Sequence, residues 1–223
     1  MKDERRKQMK TMLERATERV NEILEQLDMC GFDVDRPYDC ELPNGFYVDD
    51  GACRVVVIDC VHKDFVIKFG WNKKDKKYCE REEQICEAAE EKGLGQYFAW
   101  THYICDYQNR AVYAMEYLDC DEETISDKSS DYCWELYCED NGIDTEDEDG
   151  YDYDVRDSFW DSYNDSTDHT YGVLRYLYSL ISARDAVALD QFVWDWDIND
   201  LHDGNWGLRG ANLVMCDYAG YGW

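Results

Sequence analysis

The side chains of Asp200, Asn205 and Asp217 have the types and spacing for metal chemistry. Asp200-Leu201-His202-Asp203-Gly204-Asn205 is followed, after a turn, by Leu213-Val214-Met215-Cys216-Asp217-Tyr218-Ala219-Gly220. Magnesium takes octahedral oxygen coordination, in which a few protein ligands are completed by water or phosphate oxygens. The amide oxygen of Asn205 and the carboxylate of Asp217 can supply two such ligands, and Asp200 can face an attacking hydroxyl. Asp, Asn and Gly also gather in ordinary turns, so the reading depends on what precedes them along the chain.

Upstream, Val66-Ile67-Lys68-Phe69 sets a lysine in a strand, ahead of a charged helix rich in glutamate. Taken in this order, Asp200 to Asn205 resembles the D-L-H-x-G-N catalytic loop of aminoglycoside-phosphotransferase-like kinases. Asp217 to Gly220 resembles their D-x-x-G metal-binding turn, and Val66 to Phe69 resembles the kinase strand whose lysine contacts the α- and β-phosphates. The resemblance covers about residues 45–220. It implies an α+β, two-lobed protein-kinase-like fold with a small antiparallel β-sheet N-lobe and a truncated, mainly helical C-lobe.

The same resemblance implies ATP and Mg2+ as cofactors. Asp200 would orient or deprotonate a hydroxyl acceptor, Asn205 and Asp217 would hold magnesium, and His202 would stand behind them. Phosphoryl transfer of this kind rests on positioning and charge stabilisation. Lys68 would pair with a helix glutamate, for which Glu83 is chosen, with Glu80, Glu82 and Glu87 as close competitors. Met115-Glu116-Tyr117-Leu118 resembles the strand whose backbone meets adenine, which adds Glu116 and Leu118, while Gly51 belongs to the turn that would cover the phosphates.

The chain departs from the family pattern in places. Asp49-Asp50-Gly51-Ala52-Cys53-Arg54 is poor in glycine and carries two aspartates that repel a triphosphate unless magnesium or Arg54 compensates. Asn199 stands before Asp200 where kinases commonly carry Arg or Gly. The chain reaches Trp223 soon after Asp217, which leaves no room for an activation segment; such reduced forms resemble short phage-encoded kinase-like proteins.

The elements that must position these residues follow from periodicity. Met9, Met12, Leu13, Ala16, Val20, Ile23, Leu24 and Leu27 recur at helical spacing, predicting an amphipathic helix over 1–30 that stops near Gly31. Its stripe suits packing on its own domain or a dimer seam. Residues 31–118 read as the N-lobe: strands at Phe46 to Val48, Arg54 to Asp59 and Phe65 to Phe69, a helix at Lys74 to Lys92, then strands at His102 to Tyr107 and Ala111 to Tyr117 around a Gln108-Asn109-Arg110 turn. Residues 119–223 read as the reduced C-lobe. It opens with an acidic insertion at about 121–168, for which helical pieces and a flexible centre at Thr145 to Gly150 are expected. A helix with Tyr171, Leu174, Leu177, Tyr178 and Ile181 on its buried face comes next, then an apolar stretch from Ala186 to Trp194, and the chemistry-bearing segment 198–220.

Composition bounds the function. Net charge is −28 with 44% hydrophobic and 15% aromatic residues, so the chain is folded with a very acidic surface. Direct nucleic-acid binding is not expected. Acidity serves solubility, or else imitates a phosphate backbone and occupies the basic groove of a protein partner. The acidic stretch has no twelve-residue calcium loop. Eleven cysteines, none in a Cys-x-x-Cys pair, point to packed thiols in a reducing cytosol. The N-terminus has no apolar signal core and no run is long enough to span a bilayer, so a cytoplasmic protein, in a host cytoplasm if phage-encoded, is expected. Two functions follow: a phosphotransferase moving the γ-phosphoryl group of ATP to an unidentified hydroxyl acceptor, or a pseudokinase or acidic inhibitor acting on a partner with a basic surface.

Overall fold

The computed structural model describes residues 2–50, 54–70, 76–120, 122–143, 159 and 167–219. Gly51, Gly220 and the expected loose centre at Thr145 to Gly150 lie outside them. The architecture is α+β, and the chain divides into two compact units, Met1–Gly95 with Ala99–Tyr117 and Gln96–Phe98 with Leu118–Trp223.

The first unit opens with helix α1, Lys2–Cys30. Its stripe of Ala16, Val20, Ile23, Leu24 and Leu27 is buried against the sheet of the same unit, so the apolar face is covered within the chain. The helix stops where Gly31 turns to φ 74°, a conformation that costs a residue with a Cβ. Gly31 N–H then donates to Asp28 O at 3.1 Å and Phe32 N–H to Leu27 O at 3.0 Å, which satisfies carbonyls the helix end would leave bare.

Five strands follow the order β1-β2-β3-β5-β4, every neighbour antiparallel. They are β1 Phe46–Asp50, β2 Arg54–Asp59, β3 Phe65–Gly70, β4 Thr101–Tyr107 and β5 Arg110–Glu116. Runs of Val, Ile, Phe and Tyr with turn residues between them favour these strands. Gln108 and Asn109, both at positive φ, form the two-residue turn that joins β4 to β5. Helix α2, Lys76–Lys92, connects β3 to β4 and packs on β3, β4 and β5. On β3 the side chains alternate: Lys68 reaches α2, whereas Phe69 meets Phe32, just beyond α1. Both faces of β3 are thus covered, and all its residues are buried.

The second unit holds α3, Glu122–Asn141, α4, Thr167–Leu180, and α5, Ala183–Asp195, followed by the hairpin of β6, Trp206–Arg209, with β7, Asn212–Met215. In α4 Val173, Leu174 and Leu177 are buried; of the expected face, Leu174 and Leu177 are buried, while Tyr171, Tyr178 and Ile181 are half-buried. Ser182 caps α5, its hydroxyl accepting from Asp185 N–H at 3.1 Å. Among the described residues no helix is long and apolar enough to cross a membrane.

Candidate functional site

Lys68 sits on the central strand of the sheet with its side chain 7% exposed. An ammonium group removed from water this far needs a partner charge. Glu82 supplies it: Lys68 Nζ donates to Glu82 Oε1 at 3.2 Å and Oε2 at 3.3 Å, and the Glu82 side chain is 0% exposed. The helix glutamate that pairs with Lys68 is therefore Glu82, not Glu83. The reason is rotational. Cys79, Glu82, Cys86 and Ala89 are all buried at the three- and four-residue spacing of one helix stripe, and Glu83 stands about 100° further round.

Glu83 has different neighbours. Its Oε1 lies 2.9 Å from His102 Nδ1 and accepts from Tyr103 N–H at 2.9 Å. Burial opposes ionisation of Glu83, but the hydrogen bonds from His102 and the Tyr103 amide outweigh it and hold the carboxyl below its usual range. The hydrogen bond to Glu83 raises His102 above the ordinary imidazole value, against the opposing effect of burial.

The run proposed to meet adenine carries the boundary between the two units, at Tyr117 and Leu118. Glu116 N–H donates to Trp100 O at 2.9 Å, and its carboxylate accepts from Trp100 N–H at 2.9 Å. Tyr117 N–H is bonded to Asp64 O and Asp119 N–H to Leu208 O. Leu118 is buried, and the amides on either side of it are bonded within the chain.

In the second unit a short 3-10 turn, Asp203–Asn205, ends the loop that begins at Asp200. Asn205 is 7% exposed, and its Nδ2 donates to Asp200 O at 2.9 Å. That bond assigns the amide: the nitrogen faces a carbonyl, so Oδ1 is the atom turned away from it. Trp206, buried at 0% exposure, donates its indole N–H to Leu201 O at 3.0 Å. Two side chains thereby pin the loop through successive carbonyls. Asp200 carries a carboxylate whose side chain is 15% exposed, with His202 Nε2 at 3.6 Å from Oδ1.

Asp217 is drawn to the same place by the backbone. The β6–β7 hairpin returns the chain so that Cys216 N–H donates to Asn205 O at 2.9 Å and Asp217 N–H reaches the same oxygen at 3.5 Å. Asn205 and Asp217 thus flank one end of the hairpin. Arg209, on β6, donates to Gln96 O at 2.9 Å and Phe98 O at 3.0 Å. Gly207 lies so close to residue 118 that an added Cβ would stand 2.6 Å from Leu118 Cβ.

Sequence reasoning brought together Asp200, Asn205 and Asp217, and the structure sets all three around one loop and hairpin. It ranked Glu82 behind Glu83 and missed Trp206 and Arg209. Extending the Cys79, Cys86 and Ala89 stripe would have picked out Glu82; the side-chain to carbonyl bonds of Trp206 and Arg209 have no sequence signal. Comparison of the chain with protein-family models, curated proteins and solved structures yields no match.

Proposed function

We propose that this chain is a protein-kinase-like, magnesium-dependent ATP-binding protein that transfers the γ-phosphoryl group to a hydroxyl acceptor. The observation that carries the reading is the buried Lys68–Glu82 pair, a strand lysine held by a helix glutamate. Asp200, Asn205 and Asp217 follow it along the chain in the kinase order. A lysine so placed is held in one orientation, ready to meet phosphate oxygens.

Asn205 and Asp217 would hold magnesium, through the amide oxygen that the Asp200 carbonyl leaves turned outward and through the Asp217 carboxylate. Bound magnesium neutralises phosphate charge. Asp200 would accept the proton of the attacking hydroxyl, its loop kept in place by Trp206 and Asn205. Leu118 N–H would meet an adenine edge.

The test is thermal unfolding of wild type and Asp217→Ala with and without ATP and magnesium. A ligand at 100 times its Kd stabilises by about 2.7 kcal/mol, so wild type should gain several degrees only when both are present, and Asp217→Ala should gain none. Asp200→Asn should keep the shift and lose transfer. No shift in wild type at millimolar MgATP would overturn the reading.

The net charge of −28 supports a second reading, a pseudokinase or acidic inhibitor that occupies a partner with a basic surface. In that case Asp200→Asn leaves function unchanged, and neutralising the acids of the 144–154 stretch abolishes it.

A further inference from the structure

Glu83, displaced from the role of Lys68 partner, belongs to a second constellation. Glu83 and Glu87 stand one turn apart on α2 and face His102 of β4, and one ligand atom from each lies within 4.8 Å of the others. They line a pocket of about 420 Å³ with Glu80, Tyr103 and Tyr113. The three groups come from two elements of the first unit, and one is an imidazole, so this is a mixed nitrogen and oxygen donor set. The β4–β5 register shifts between Tyr103 and Cys105, interrupting the ladder beside it; irregularities of this kind can re-aim side chains.

We propose that Glu83, Glu87 and His102 bind a divalent transition-metal ion of the zinc class. Imidazole with carboxylate suits such ions better than magnesium or calcium, which prefer oxygen alone. Around a tetrahedral zinc with bonds of about 2.0–2.1 Å, ligand atoms stand about 3.3 Å apart. Glu87 is solvent-exposed, so its carboxylate is the donor able to move to close the present spread to that distance. Glu83 and His102 already touch at 2.9 Å, so two of the three donors are held together before any ion arrives. Three protein ligands leave a position for water, and the ion clips α2 to β4. Because α2 also presents Glu82 to Lys68, the clip stiffens the helix that holds that pair. The proposal does not rest on the nucleotide reading.

The test is NMR of the histidine rings of the full chain, titrated with Zn2+ in a millimolar Mg2+ background that fills hard-ion sites on the acidic surface. The His102 signals, assigned with His102→Gln, should shift and saturate at one equivalent, while those of His62 and His202 stay in place. This readout separates the site from zinc bound by thiols elsewhere. Glu87→Gln alters an exposed residue and should leave the melting temperature unchanged; it should weaken the Zn2+ affinity at His102 at least tenfold. Asp217→Ala should leave the titration unchanged. His102 signals unmoved by Zn2+, or an unchanged affinity in Glu87→Gln, would overturn the proposal.

Discussion

Neighbouring glutamates on one helix end in opposite environments, and the consequences are measurable residue by residue. Glu82 is buried against Lys68, so Lys68→Met or Glu82→Gln alone strands a charge out of water and should cost about 3–5 kcal/mol of stability. The paired replacement Lys68→Met with Glu82→Leu should recover most of that loss in a denaturant titration while leaving MgATP without effect on the midpoint. Such a result would separate the pair's part in the fold from its part in binding. Glu83 and His102 give a pH signature instead. The hydrogen bond raises His102 above its ordinary value near 6.5. Its contribution is therefore full below pH 6.5 and is lost as pH rises through the raised folded-state value. Glu83 is held below its ordinary value near 4.5, so its contribution is present above pH 4.5 and is lost as pH falls through the lowered folded-state value. The difference in melting temperature between wild type and His102→Gln, measured in EDTA, should be greatest between about pH 4.5 and 6.5. A difference that stays the same above and below that range would contradict the pair.

At the scale of elements, the loop from Asp200 to Asn205 is shaped from outside as well as from within. Asn205 and Trp206 hold it by hydrogen bonds to the carbonyls of Asp200 and Leu201, and the β6–β7 hairpin is held in turn by bonds between Asp119 and Leu208 and by Arg209. Close approach at residue 207 makes that hairpin sensitive to a single methyl group. Gly207→Ala places its Cβ 2.6 Å from Leu118 Cβ, and the backbone must move to relieve it. Overpacking of this kind costs about 1–3 kcal/mol. The variant should melt lower than wild type and respond less to MgATP, because Asn205 precedes β6 directly. Helix ends are governed more locally. Gly31 and Gly93 both sit at positive φ, and the next residue donates back to the carbonyl five before it, so α1 and α2 end where the sequence places glycine.

For the whole molecule the dominant property is charge. At −28 the folded chain repels itself, and the repulsion is long-ranged at low salt, where the screening length is about 30 Å at 0.01 M against about 10 Å at 0.1 M. Raising NaCl from about 10 mM to about 500 mM should therefore raise the melting temperature. A fall would mean that attractive pairs such as Lys68–Glu82 and Arg19–Asp59 outweigh the repulsion.

Periodicity and turn chemistry made most of the elements readable along the chain. The strand at Arg54 to Asp59 matches the observed β2, and the glycine after α1 and the Gln108-Asn109 turn fall where backbone preference places them, because such preferences act over a few residues. Asp200, Asn205 and Asp217 lie close together along the chain, and one loop and one short hairpin connect them. The partner of Lys68 was not legible. Glu82 and Glu83 are adjacent and chemically identical, and the angle at which α2 lies on the sheet sets which of them is buried. The meeting of Glu83 and Glu87 with His102, and the grip of Arg209 on the carbonyls of Gln96 and Phe98, are likewise contacts between segments distant in sequence. Packing brings these groups together, and no local pattern encodes that.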